Sequence, residues 1–141
     1  MSGHVTIITL GVADVSAATK FYEALGFHKS SASEPSITFL TAGAIIVSLF
    51  AGESLAADVG VDADGSGFRG VTLAMNVTSA ADVDATFAHW VSVGAVAVKT
   101  PQAAEWGGYS SYVADPDGHL WEIAHNPYMQ LNPDGSPIPL P

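Results

Sequence analysis

Glu122 stands in the middle of a short, mostly apolar run, HLWEIAH (119–125), directly after the turn-forming Asp115-Pro116-Asp117-Gly118. A carboxylate inside a strand can ligate a metal, move a proton, bind a ligand or simply meet solvent. Period-two alternation places Leu120, Glu122 and Ala124 on one face, and His119, Trp121, Ile123 and His125 on the other. An acid between two apolar neighbours is partly desolvated. That suits a general base, and it equally suits recognition of a cationic or hydrogen-bond-donating ligand. A third reading pairs Glu122 with a hydroxyl such as Ser48 or Thr72, as a polar plug.

The other chemistry-bearing residues are fewer. Five histidines occur, His4, His28, His89, His119 and His125, and no pair has the H-E-x-x-H spacing that sets two imidazoles on one metal. They read as surface or capping histidines. His125, beside Asn126, lies nearest a rim where it can touch a ligand. Trp106, Tyr109, Tyr112 and Trp121 crowd into a short span of chain. Trp106 and Tyr109 are the two expected to contact a ligand, because Gly107 and Gly108 let the backbone bend there. The stretch KTPQAAEWGGY (99–109) reads as a loop able to act as a lid. DADGSG (62–67) lacks the flanking helices and the terminal Glu of a calcium loop. There is no G-x-S-x-G, no P-loop and no dinucleotide fingerprint.

Composition narrows the field further. The chain has 141 residues, no cysteine and a formal net charge of −10, with four Lys or Arg against 14 Asp or Glu. Thiolate metal sites, Cys nucleophiles and disulfides are therefore excluded. So strong a negative charge repels phosphate backbones and anionic lipid surfaces, so neither nucleic acid nor membrane is an expected partner. The opening MSGHVTIITLGV has no basic stretch and no A-x-A site, which predicts no signal peptide and a cytoplasmic location.

These residues need elements to hold them. HVTIITLGV (4–12) reads as a buried strand. Asp14 caps a following helix whose Ala18, Phe21, Tyr22 and Leu25 share one face, and Gly26 ends it. SITFLTAG (36–43) and AIIVSLFAG (44–52) read as two strands joined at Ala42-Gly43. Residues 53–69 are acidic and Gly-rich, a loop with at most a helical turn. The pattern then restarts. GVTLAMNV (70–77) is a strand, and Ser79 with Asp82 opens a second helix with Val83, Phe87, Trp90 and Val91 on one face. AVAVKT (95–100) is a short strand. WGGYSSYVAD (106–115) and HLWEIAH form a hairpin. Residues 128–141 carry four of the eight prolines and are expected to lie extended on the surface.

The order β-α-β-β-(β), loop, β-α-β-β-β is an internal repeat. Val12 aligns with Val77, Ala18 with Val83, Tyr22 with Phe87 and Leu25 with Trp90. The same register sets Ile7 opposite Thr72 and Ser48 opposite Glu122. The expected organisation is a first module at 1–52, a connecting loop at 53–69, a second module at 70–127 and a tail at 128–141, one compact domain in all.

With TLGVADVSAATKFYEALGF opening the first module and YVADPDGHLWEIAHNP closing the second, the chain resembles the vicinal-oxygen-chelate superfamily. This is the group of glyoxalase I, bleomycin-resistance proteins, fosfomycin-resistance enzymes and extradiol dioxygenases. The resemblance covers about residues 4–127. It implies an α+β fold of two βαβββ modules, their sheets forming a curled mixed sheet around a central funnel, and a homodimer. In metal-dependent members one ligand comes from the first and the last strand of each module. The matching positions here are Ile7, Ser48, Thr72 and Glu122, with Val71 in place of Thr72 if the register slips by one. One carboxylate, two neutral hydroxyls and an alkyl group do not make a divalent-metal site.

The expectation is therefore a protein with no metal and no cofactor that binds a small, partly aromatic molecule in the funnel, sequestering it as a bleomycin-resistance protein does. The ligand-binding set is Glu122, Ser48, Thr72, Ile7, Trp106, Tyr109 and His125. The alternative is a metal-independent lyase or isomerase with Glu122 as general base. A metal-dependent glyoxalase or dioxygenase is disfavoured by the residues present.

Overall fold

The computed structural model describes residues 3–140, so the first two residues of the opening segment and the last of the tail lie outside the described residues. The chain divides into two units, Met1–Arg69 and Gly70–Pro141. In the first unit the order is β1 (Ile7–Val12), α1 (Val15–Ala24), β2 (His28–Lys29), β3 (Ile37–Ala42), β4 (Ile45–Ala51) and α2 (Gly52–Val59). The strands lie in the order β1-β4-β3-β2. β1 runs parallel to β4, and the other pairs are antiparallel.

The helix start is set as the sequence predicts. The Ala17 N–H donates to the Asp14 carboxylate at 3.0 Å, and Gly26 follows the last turn at φ 92. Ala18, Thr19, Phe21 and Tyr22 form the buried face of α1. They cover Leu10, Val12, Leu40, Val47 and Leu49, all buried on the facing side of the sheet. Each such aliphatic side chain contributes about 1.5–3 kcal/mol through area removed from water. Tyr22 meets Phe21 and Phe27 edge-on, at centroid distances of 5.1 and 5.5 Å. One polar pair sits in this core. Thr19 donates to the Val15 carbonyl at 2.6 Å, so the Thr38 hydroxyl, 2.8 Å away, is the donor to Thr19.

The second unit repeats the plan: β5 (Leu73–Asn76), α3 (Ala80–Ser92), β6 (Val96–Ala103), β7 (Tyr109–Ala114) and β8 (Leu120–His125). Its strand order, β5-β8-β7-β6, matches the first sheet position for position. β4 and β8 are thus counterparts, each parallel to its unit's first strand and antiparallel to the preceding one. Ser79 caps α3, receiving the Asp82 N–H at 3.1 Å. Val83 and Trp90 are buried against the sheet, and the Trp90 and Trp121 rings lie 5.2 Å apart. Both units are α+β, with a four-stranded mixed sheet in each.

Several elements differ from the sequence reading. β1 begins at Ile7 rather than at His4. Residues 53–69 do not open as a loop, because α2 runs from Gly52 to Val59. Val91 is 39% exposed, off the buried face of α3. β6 continues to Ala103, with two register shifts, through much of the stretch read as a lid. The tail is not simply extended, since Leu131 pairs with Pro137 across a turn at Asn132–Gly135. Among the described residues no helix is long and apolar enough to cross a membrane.

Candidate functional site

In each unit the helix α1 or α3 takes one face of the sheet, and the opposite face holds Ile7 and Ser48 in the first unit and Glu122 in the second. The second sheet is fixed by its hairpin turn. The Asp115 carboxylate, buried, accepts the N–H groups of Asp117 and His119 at 3.0 and 2.8 Å. That Asx turn locks the β7–β8 register, which sets Tyr112 directly opposite Glu122. Two rows then cross the face away from α3. One runs Ala74, Glu122, Tyr112, Lys99, and its neighbour runs Asn76, Ala124, Ser110, Gln102.

Glu122 is half-buried there, as alternation predicts. Its Oε2 accepts the Ser110 hydroxyl at 2.7 Å. Burial pushes the Tyr112 phenol above its usual range, and the charge of Glu122 and a hydrogen bond to it push in the same direction. Glu122, Ser110 and Tyr112 are therefore one cluster. Ser110 and Tyr112 were not in the predicted set, although the hairpin gives the signal. Pairing outward from the turn, Ala114 meets Leu120, Val113 meets Trp121 and Tyr112 meets Glu122.

Tyr109 and His125 face the other way. They pair with each other on the α3 side of the sheet. The Tyr109 hydroxyl donates to Asp84 on α3 at 2.8 Å, and that bond is the main cause holding its proton above the usual tyrosine range. His125 Nδ1 lies 3.1 Å from the Val77 carbonyl, which can only accept. Trp106 is at the β6–β7 turn and 48% exposed. Its indole lies where a Gly108 side chain would begin, and the Tyr128 hydroxyl and ring edge lie 3.0 and 3.2 Å from the corresponding point on Gly107. The two glycines thus seat aromatic rings. Thr72 is exposed and precedes β5, two residues before Ala74.

In the first unit, Ser48 is 1% exposed, and its hydroxyl is engaged by Thr9 at 2.6 Å. Thr9 lies abreast of Ser48 across the parallel pair. Ile7 is one row away beside Ile46 and Thr41, and 45% exposed. Ile7, Ile46, Phe39 and Thr41, with Ser30 and Ala32, line a pocket of about 360 Å³. At the other end of this face α2 crosses Gly11, whose added Cβ would stand 3.1 Å from the Gly52 Cα.

Residues 3–123 match the family described as the Glyoxalase/Bleomycin resistance protein/Dioxygenase superfamily. A glyoxalase-related enzyme from Fulvimarina pelagi is 34% identical, with a TM-score of 0.85 over 98% of this chain and 99% of that one. A family enzyme from Burkholderia phytofirmans PsJN is 21% identical, TM-score 0.75, over 85% of this chain and 96% of that one. A lactoylglutathione lyase from Agrobacterium tumefaciens is 20% identical, TM-score 0.66, over 89% and 95%. The last two show likeness of fold. No curated protein matches the chain. The chain belongs to the glyoxalase/bleomycin resistance protein/dioxygenase superfamily.

The resemblance implies a divalent metal in catalytic members, and the residues of this chain do not fit one. Ile7 has no donor atom. The Ser48 hydroxyl is buried and bonded to Thr9, and Thr72 is a neutral alcohol. Glu122 is the one carboxylate in the set. Among the described residues no group of three or more His, Asp or Glu is placed to hold an ion.

Proposed function

We propose that this protein binds a small, partly aromatic molecule without a metal and sequesters it. The observation that carries the reading is the pocket on the first sheet. It is walled by Ile7, Phe39 and Ile46, has hydroxyls from Ser30 and Thr41, and takes in Ile7, a position where catalytic relatives need a ligand atom. Its volume falls in the range of ordinary ligand pockets. Apolar burial supplies affinity, and the Ser30 and Thr41 hydroxyls supply orientation. A cytoplasmic homodimer is the proposed setting.

A thermal-shift screen of small aromatic compounds, followed by calorimetry, tests this. A true ligand at a hundred times its Kd stabilises the fold by about 2.7 kcal/mol. Phe39→Ala is expected to weaken it at least fivefold. Steady turnover of a bound compound, or a stoichiometric metal in protein purified without a histidine tag, would overturn the reading.

The braced carboxylate favours one second reading, a metal-independent lyase or isomerase with Glu122 as general base. Under that reading Glu122→Gln abolishes turnover and leaves binding nearly unchanged. Under sequestration there is no turnover to lose.

A further inference from the structure

We infer that the pocket on the first sheet selects an uncharged aromatic molecule bearing a hydrogen-bond acceptor, such as an aryl ketone or amide, and seats that acceptor toward β2. This rests on the binding reading above and names the chemistry of its ligand.

The strand register makes this face polar at one end. A row crosses the face away from α1 as His28, Thr41, Ile46 and Ile7, from β2 to β1. The members nearest β2 are polar, and those nearest β1 are branched alkyl groups. Ser30 shares the face of His28 by alternation, and its N–H still pairs with the Phe39 carbonyl at 2.8 Å. Ile7, Phe39, Ile46, Ser30 and Thr41 line the same cavity. A ring packed on Phe39 and the isoleucines therefore turns its polar substituent toward Ser30 and Thr41.

That end supplies donors. The Ser30 oxygen already receives the Ala32 N–H at 3.1 Å, which leaves its proton for an incoming acceptor. The turn carrying Ser30 is fixed before a ligand arrives. The Ser33 N–H donates to the Ser30 carbonyl at 3.1 Å, and the Ser33 hydroxyl receives the Phe39 N–H at 2.9 Å. Thr41 is exposed, so its hydroxyl can rotate to donate. An imidazole keeps at least one N–H in every protonation state, so His28 adds a donor at the outer end of the row.

The same surroundings disfavour an ionised ligand. The lining holds no charged side chain, so a charged group would give up its hydration without a counter-charge. Lys29 pairs with Leu40, which is buried against α1, so its side chain belongs to the other face of the sheet. The net charge of −10 opposes anions over the whole molecule.

Calorimetry with two matched pairs tests the inference: acetophenone against ethylbenzene, and 2-acetylnaphthalene against 2-ethylnaphthalene. Each ketone is expected to bind about fivefold more tightly than its hydrocarbon, the size of one neutral hydrogen bond. Benzoate and 2-naphthoate should bind more weakly than the ketones. Amide resonances of Ser30, Phe39 and Thr41 should move during the titration. Thr41→Val, which leaves the Ser30 turn intact, should lower the preference for the ketone. Adding Ser30→Ala should bring ketone and hydrocarbon to equal affinity, with an unaltered melting temperature as the check on folding. Equal affinity in the native protein would overturn the acceptor preference while leaving small-molecule binding in place. A preference that survives the double substitution, or carboxylates that bind as tightly as ketones, would overturn it too. Binding of neither member of either pair would overturn both readings.

Discussion

Thr9 and Ser48 share one short hydrogen bond, and neither hydroxyl is an independent feature. Thr9→Val leaves the buried Ser48 unsatisfied and should cost about 1–3 kcal/mol in chemical denaturation. Ser48→Ala should cost less, since Thr9 is only half-buried. The double variant should recover most of the loss, because no orphaned polar atom remains. Tyr112 gives a pH prediction. Its pKa is raised in the fold, so the stability tied to it is fully present below the ordinary tyrosine value of 10.0. That stability is lost as pH rises through the higher folded value. Tyr112→Phe should therefore flatten the alkaline limb of a melting-temperature profile while leaving the neutral region level. At this scale alternation in HLWEIAH was enough to place Glu122 on the face away from α3. The partners were harder to see. Ser48 meets Thr9 because parallel neighbours sit abreast, a pairing that the internal alignment of the two modules does not address. Alternation set His125 on the face opposite Glu122, and the strand pairing puts Tyr109 there with it, on the α3 side.

Elements depend on a few close approaches. Gly11 lets α2 lie against β1, and the Leu55 side chain also comes within 3.6 Å of where a Gly11 Cβ would be. Gly11→Val should push α2 away, costing about 1–3 kcal/mol by overpacking, with faster amide exchange confined to residues 52–59. Helix α2 was missed because it has no fully buried residue, so no apolar stripe marks it. Gly-rich chain after it masks the helix-forming Glu53, Leu55, Ala56 and Ala57. The caps of α1 and α3 were legible, because Asp14 and Ser79 act through local hydrogen bonds that involve only the next three residues. β6 was drawn too short, since Pro101 and the register shifts interrupt its pattern without ending its pairing. Trp90→Ala should cost about 3–5 kcal/mol, because it empties the contact with Trp121 that fastens α3 to its sheet.

For the whole chain, charge and topology are the governing quantities. A net −10 predicts no change in fluorescence anisotropy of labelled duplex DNA, even at low salt, where cation-bearing proteins bind most strongly. The repeat was readable because two helices and two strand orders agreed in one register, and both sheets have the same topology. The alternation in β8 has a further consequence. Trp121 and Ile123 maintain the core against α3, while the half-buried Glu122 faces the other way, so the two can vary separately. A lineage carrying this fold can exchange the chemistry of one sheet face by single substitutions without first acquiring compensating changes in the other. Selection for a new ligand and selection for folding act here on different letters of the same six-residue word.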